Sequence, residues 1–508
     1  MTPEIAFLPG WLVQHAPPLL VVTPLIAGVI AAVLPSARAS WGIVLAITFF
    51  AAAMASFIAM QVMEVGVWSY ALGSWAPPLG IEYRIDGLNA GMLLLVAVIG
   101  FLCAIYAPAS VEAEVAPENR SAFYGAFLIC FAGLLGVAIT GDAFNVFVFL
   151  EISSISTYAL VAMGAGRDRR ALTASYNYLI MGTIGATFFV IGVGFLYMAT
   201  GTLNMADIAD RLQGLEGDRT VQAGFAFIVV GLGLKLAMYP LHSWLPNAYS
   251  YAPTLVTAFL AATATKVAFY TLIRFVFGVF DPGFGFAGLS MIWLIAPLAA
   301  AGMVVASFQA VFQSDVRRLF AYSSVAQVGY MLLGVGLGTA AGMSASFLHL
   351  FNHALMKGTV FLALGAMWLG FGVTRITDLR GMGRTMPYTS AAFVIGGLSL
   401  VGVPGTAGFV SKWALLVACL DRGWWWAVLA LGAASVLAFF YVGRVLEMMY
   451  LREPPQHDGH AVTRSPAPLA ALAPMWILAA ANLVFGIWAD IPVRLANAAA
   501  AAVLGSAP

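Results

Sequence analysis

Charge is what this chain of 508 residues has least of. Asp, Glu, Lys and Arg make up 9% of it, against about 25% in a soluble protein. Such a set cannot cover a soluble surface; with 62% hydrophobic residues and a mean hydropathy of +0.94, a string of soluble domains is excluded. The formal net charge is +1, so the basic face that a nucleic-acid partner requires is missing as well. Cysteine is scarce, and Cys103, Cys130 and Cys419 lie in apolar stretches without metal or redox spacing; they are read as small core residues. Residues 1–35 hold no Lys or Arg, so the basic start of a cleavable signal is lacking and the first apolar stretch is expected to remain as a span. With no cofactor motif and no metal-ligand pattern, neither a cofactor nor a resident metal is expected.

Apolar length is what the chain has instead. A bilayer-spanning helix needs about 20 mainly apolar residues. Such stretches recur near 18–36, 41–62, 88–107, 121–140, 143–164, 171–200, 222–248, 254–280, 287–312, 318–338, 343–371, 388–418, 424–450 and 469–489. These uninterrupted runs lack the alternation of barrel strands, so an all-α polytopic membrane protein with about fourteen spans is expected. Arginines set its orientation. Arg38, Arg120, Arg167/Arg169/Arg170, Arg317/Arg318, Arg375/Arg380/Arg384 and Arg452/Arg464 fall in alternate loops, and the intervening loops hold only Arg84, Arg211, Arg219 and Arg422. Both termini are then non-cytoplasmic, although the acidic stretch from Glu112 to Glu118 runs against the pattern locally.

Lysine is rarer still. Of 23 Lys plus Arg only four are lysines, Lys235, Lys266, Lys357 and Lys412, and each lies within or at the end of an apolar stretch. A charge at the centre of a spanning helix costs about 2.5–3.5 kcal/mol on insertion scales. Unpaired, the four lysines and Glu151 would cost roughly 12–17 kcal/mol, comparable with the whole stability of a domain, about 5–15 kcal/mol. Stability alone would not retain them. Arginine stays protonated in proteins, whereas a lysine can be brought to titrate near neutrality, as proton transfer at mid-membrane depth requires. The plainer reading is a snorkelling side chain at a span end. Glu151 is the one carboxylate well inside a span, and an ionised one implies a cationic partner. Asp142 reads as a surface or capping residue, and Arg444 with Glu447 as a mutually neutralising pair.

Two lysine-bearing regions are interrupted by proline. Lys235 is followed by Pro240, and Lys412 is preceded by Pro404 within Gly402-Val403-Pro404-Gly405. Each helix must kink or unwind there, and irregular backbone at this depth survives only inside protein or beside water. Paired interruptions of this kind point to an ion site in transporters. A third region sets His349, His353 and Lys357 at steps of four, along one helical stripe. Three readings are open to it: a proton relay, hydrogen-bonded core histidines with Asn352 as a donor, or a metal site, which lacks a carboxylate or third histidine nearby.

The block running from Lys235 through Pro240-Leu241-His242-Ser243-Trp244-Leu245-Pro246-Asn247-Ala248 to Ala252-Pro253 and Lys266 resembles the antiporter-like proton-channel family. Its members are subunits of Mrp-type multisubunit cation/proton antiporters and the proton-pumping membrane subunits of complex I and membrane-bound hydrogenases. The likeness covers nearly the whole chain, through Arg84-Ile85-Asp86-Gly87-Leu88, Glu151, the His349 to Lys357 stripe and Pro404 to Lys412. It implies fourteen helices with two inverted five-helix repeats, spans 4–8 and 9–13, each holding a broken helix. The chain would then divide into an N-terminal three-helix segment with an external loop (1–120), a first repeat (121–280), a second repeat (287–450), and a cytoplasmic loop with the final span (451–508).

The same resemblance implies that Glu151 pairs with Lys235, Lys266 is the central relay, His349 and His353 line the link beside Lys357, and Lys412 exchanges protons with one side. Some members carry Glu at the last position, so Lys412 speaks against the complex I class that uses it. The stretch of about twenty residues after the final span speaks against members with a long lateral helix. The expectation is a proton-translocating, D-type component of an Mrp-type Na+/H+ antiporter in the inner (plasma) membrane. Other membrane subunits, H+ and Na+ would be its partners, and it would be no enzyme by itself. The alternative is a proton-pumping membrane subunit of a redox complex, an NADH-quinone oxidoreductase or membrane-bound hydrogenase. A purely structural paralogue or an unrelated solute carrier would leave the lysine row without a use.

Overall fold

The computed structural model describes residues 10–280, 284–286, 289–453 and 469–504. Arg464, which counts toward the loop charges, lies outside them. The apolar runs become helices: α1 (Ala16–Val33), α2 (Ala37–Val65), α3 (Gly87–Glu114), α4 (Arg120–Ile139), α5 (Ala143–Ala162), α6 (Arg170–Thr200) and α7 (Arg219–Leu236). α8 covers Thr254–Gly278. There follow α9 (Met291–Val311), α10 (Val316–Gly336), α11 (Ala340–Phe371), α12 (Pro387–Val401), α13 (Ala407–Asp421), α14 (Trp425–Tyr450), α15 (Leu469–Ile487) and α16 (Asp490–Leu504). Thirteen helices among the described residues are long and apolar enough to cross a membrane, whereas α12 and α13 have 15 residues each. The chain is a polytopic, mostly helical membrane protein.

Polar residues are spent at the ends of these helices, where the first N–H groups lack intrahelical partners. Asp86 caps α3 and forms a reciprocal capping box with Asn89. Asp142, Asp218, Asp315 and Thr339 cap α5, α7, α10 and α11. Asp142 is thus a capping residue, although a buried one. Between α2 and α3 a hairpin of β1 (Trp68–Ala71) and β2 (Glu82–Ile85) pairs antiparallel with Trp68 opposite Ile85. Its Glu82 carboxylate accepts from Asn204, which caps the short helix Met205–Arg211.

α11, 32 residues long, is the central post. It packs against α8, α10, α12, α13, α15 and α16. α8 and α10 beside it are almost wholly enclosed, with 94% of the apolar window of each buried. The stripe of His349, His353 and Lys357 therefore faces protein on all sides.

Three of the expected spans are interrupted, two of them in the segments that hold Pro240 and Pro404, as those prolines require. The stretch 222–248 is not one helix: α7 stops at Leu236 and a short helix resumes at Leu245–Tyr251. The stretch 388–418 divides at Gly402–Thr406 into α12 and α13. α8 carries an unexpected break at Thr263 (φ −124°, ψ −57°). Arg444 and Glu447 do not pair. Arg444 donates to the carbonyls of Val311 and Gln313 at 2.8 and 3.0 Å, and Glu447 binds Arg452 at 2.6 Å, because the end of α9 brings free carbonyls to the arginine.

Gly408, in the first turn of α13, lets that helix lie on the end of α12. A Cβ there would sit 1.9 Å from the Ser399 carbonyl oxygen, and the Gly408 N–H donates to Ser399 Oγ at 3.0 Å. The obstacle is backbone and cannot swing aside. Gly408→Ala is expected to destabilise the folded chain by about 1–3 kcal/mol or more, read as a lower melting temperature in detergent; an unchanged melt would show that α12 and α13 do not depend on this contact.

Candidate proton-transfer site

Each lysine is placed by a helix end, a helix break or a neighbouring helix. Lys235 lies in the last turn of α7. Ala237 turns left-handed (φ 58°, ψ 42°), a conformation costly for a residue with a Cβ, and the Met238 N–H closes back on the Gly233 carbonyl at 2.9 Å. Trp244 secures the break by donating its indole N–H to the Leu234 carbonyl at 2.9 Å and stacking on Tyr178 at 4.1 Å. The Lys235 ammonium is thereby turned onto α5, where Nζ donates to Ser154 Oγ at 2.6 Å and to Glu151 Oε1 at 3.4 Å. The pair is sheltered, with side chains 6% and 22% exposed.

Lys266 follows the Thr263 break by three residues, and its Nζ donates to the Ala261 carbonyl at 2.5 Å. Lys412 does the corresponding thing across two helices. α12 ends at Gly402 (φ 93°), and Lys412 from α13 donates to the Leu400 and Val401 carbonyls at 2.7 and 3.2 Å. An ammonium at a helix C-terminus meets unpaired carbonyls and the negative end of the helix dipole. Its other face lies 4.5 Å from the Tyr330 ring centroid, a favourable seat for a cation. Lys357 sits on an unbroken helix and reaches across to α10, to the Phe320 carbonyl at 2.7 Å and to the Ser323 hydroxyl. Lys266 and Lys357 are fully buried, Lys412 and Lys235 nearly so.

The two histidines lie one turn apart on α11, the helix that carries Lys357. Their rings are parallel, with centroids 6.1 Å apart. His349 Nε2 donates to Gln327 Oε1 at 2.8 Å, and Nδ1 shares a hydrogen bond of 2.9 Å with the Ser411 hydroxyl, which also donates to the Gly408 carbonyl at 3.2 Å. Both nitrogens are thus engaged by side chains, an arrangement unlike a metal ligand's. Among the described residues no cluster of three His, Cys, Asp or Glu could hold a metal ion. His353 is fully buried with both ring nitrogens unpartnered. Asn352 does not serve it: the Asn352 amide donates to the Ala407 carbonyl at 2.6 Å. Of the residues singled out from sequence, Glu151 and Lys235 are in direct contact, His349 and His353 stack, and the Tyr330 ring lies against both His349 and Lys412, whereas Lys266 and Lys357 are each held by groups of their own or a neighbouring helix. Pro240 and Pro404 lie in the two breaks.

Two sheltered ion pairs escape the sequence reading. Glu114, within the acidic stretch that runs against the loop charges, is buried at the end of α3. It binds Arg167 at 2.7 Å and receives the Thr254 N–H at 2.9 Å together with the Thr254 and Ser110 hydroxyls. Asp86 holds Arg274 of α8 through two hydrogen bonds at 2.7 and 2.8 Å. Arg274, a cation inside an expected span, is the signal that could have found the second pair.

A membrane-embedded helical chain with ammonium groups lodged at its helix breaks is the class of protein that this fold and site define. Residues 140–438 match the family described as NADH:quinone oxidoreductase/Mrp antiporter, transmembrane. The chain belongs to this family of antiporter-like membrane subunits. It is 40% identical over 486 residues to the N-type subunit of the NADH-quinone oxidoreductase of Desulforudis audaxviator, covering 93% of this chain and 96% of that one. It is 30% identical over 437 residues to the D-type subunit of the Na(+)/H(+) antiporter of Alkalihalophilus pseudofirmus, covering 85% and 86%. A chain of the Mrp complex from Dietzia sp. DQ12-45-1b superposes with a TM-score of 0.88 at 28% identity, over 97% of this chain and 98% of that one.

Asp86→Asn removes the charge that compensates Arg274. Leaving one partner of a buried pair uncompensated costs about 3–5 kcal/mol, so this variant is expected to melt markedly lower, and Arg274→Gln likewise. A double variant, Asp86→Asn with Arg274→Gln, should recover part of the loss; strictly additive losses in the melting series would count against a direct coupling.

Proposed function

We propose that the chain is a proton-translocating membrane subunit of a multisubunit assembly, in which Glu151, Lys235, Lys266, His353, His349, Lys357 and Lys412 form a relay near the mid-plane. The observation that carries this reading is the set of four lysines withdrawn from solvent, only one of which has a carboxylate partner among the described residues. Uncompensated ammonium groups at this depth are unfavourable as permanent charges, and serve as groups that gain and lose a proton. The chain itself carries no redox chemistry and acts as an ion-translocating subunit, not as an enzyme.

Coupling falls to the Glu151–Lys235 pair. At 3.4 Å its energy depends steeply on separation, so relative motion of α5 and α7 alters proton occupancy at Lys235. The Ala237 turn, which ends α7 beside the lysine, gives that motion a place to occur.

Taking α12 and α13 as halves of one broken span gives fourteen spans, with α4–α8 and α9–α14 as the inverted repeats and residues 1–120, 121–280, 287–450 and 451–508 as the divisions. Both termini then lie on the non-cytoplasmic side of the plasma membrane. Membership in a redox-driven complex has the stronger support, since the quinone-reductase relative is 40% identical and the antiporter relative 30%. This reverses the expected order of the two readings. The second reading, a subunit of a Na+/H+ antiporter, is favoured by the superposition on a chain of an Mrp complex.

In everted vesicles carrying the whole assembly, Lys235→Ala and Glu151→Ala are each expected to lower proton movement about tenfold or more, the factor that 1.4 kcal/mol represents, with the assembly still formed. Transport intact in both variants would overturn the relay. Proton uptake that requires an electron donor supports the redox assembly, whereas collapse of a pH gradient by sodium without a donor supports antiport.

A further inference from the structure

Away from the lysines, a second polar site lies at one end of the bundle. A cavity of about 330 Å³ opens between the α5–α6 turn, the end of the short helix Leu245–Tyr251, the α9–α10 turn and the segment following α11. Five arginines line it, Arg167, Arg170, Arg317, Arg318 and Arg375, against the aspartates Asp168 and Asp315.

The acids are already committed. Asp168 takes three hydrogen bonds from the Arg170 guanidinium, at 2.6–3.1 Å. Asp315 caps α10 by accepting the Arg318 backbone N–H at 2.8 Å. Glu114, behind the cavity wall, is taken by Arg167. Arg317, Arg318 and Arg375 take part in no ion pair among the described residues.

Arg317 is the decisive residue. It is only 4% exposed, its Nη1 reaches the Ala252 carbonyl at a long 3.4 Å, and its Nη2 has no partner. The buried Nε of Arg318 has none either. Arg317 and Arg167 also share one indole, with their guanidinium carbons 5.8 and 5.1 Å from the Trp368 ring centroid. Two like charges are thus held on one ring, and around the cavity five guanidinium groups face the carboxylates of Asp168, Asp315 and Glu114, a surplus of positive charge that an anion would offset.

We propose that this cavity binds a phosphate group, held by the free N–H groups of Arg317 and Arg318, with Arg375 contributing charge. Guanidinium forks match phosphate oxygens in geometry and charge, and a tetrahedral group with several acceptor oxygens suits donors arriving from different turns better than a planar carboxylate does. The phosphate comes from an anionic phospholipid headgroup seated between the helix ends or from free phosphate in solution. The proposal does not rest on the proton-transfer reading.

The test uses the full assembly in nanodiscs. Native mass spectrometry counts retained phosphatidylglycerol, and thermal melts in neutral-lipid discs are titrated with inorganic phosphate. Arg317→Gln is expected to weaken binding about tenfold or more, as the loss of a charged hydrogen bond does. Retained lipid that inorganic phosphate does not displace identifies the headgroup as the source; saturable protection by phosphate without lipid retention identifies free phosphate. If Arg317→Gln fails to assemble, the paired variant Arg318→Gln with Arg375→Gln is read in the same two assays, with Arg318→Lys as the charge-preserving control. Equal lipid retention in wild type and variant with no protection by phosphate overturns the proposal, as does an acidic segment of a neighbouring subunit crosslinked into the cavity.

Discussion

An ammonium ion in hydrocarbon has to find oxygen atoms, and this constraint organises the molecule more than any other. Among the described residues the four lysines have a single carboxylate between them, Glu151 beside Lys235. The other three are satisfied by neutral groups: Ala261, Phe320, Leu400 and Val401 supply backbone carbonyls, and Ser323 a hydroxyl. Carbonyl ligands leave the cation's charge in place, whereas a carboxylate would cancel it. Burial thus keeps these amines hydrogen-bonded without neutralising them.

Three of those carbonyls, on Ala261, Leu400 and Val401, are available because a helix is interrupted. In a continuous helix each carbonyl is occupied by the N–H four residues on. The end of α12 at Gly402 and the irregular backbone at Thr263 present carbonyls to a side chain instead. Lys412 meets its break from the following helix and Lys266 from the same one. Lys357, on the unbroken α11, borrows from α10, where the Phe320 carbonyl also accepts from Ser324. The breaks are as much a part of the site as the lysines.

Much of this could be read from residue types. The spans follow from apolar length, the buried amines from the scarcity of lysine, and two interruptions from Pro240 and Pro404. What escaped has local physical reasons. The Thr263 break has neither glycine nor proline to announce it; alanine and threonine surround it, and the tertiary setting of Lys266 makes it tolerable. The helix ahead of Pro240 ends at Leu236, because Ala237 turns left-handed well before the proline ring intervenes. Glu114 lies in an acidic run that reads as solvated loop, and only its neighbours in space show that it is enclosed. Arg444 and Glu447 share a helix face but have better partners elsewhere. Spacing along a helix shows which residues could meet, and surrounding helices decide which do.

Glu114 also bears on how the helices move. One carboxylate grips the first turn of α8 through Thr254, is tied to Ser110 on its own helix, and anchors the loop before α6 through Arg167; Tyr106 adds a bond from α3 to the same threonine at 3.0 Å. A one-residue axial slip of α8, about 1.5 Å, would tear this knot apart. At this end these bonds oppose axial sliding of the helix that carries Lys266, and the Thr263 interruption is the nearest irregular backbone along it.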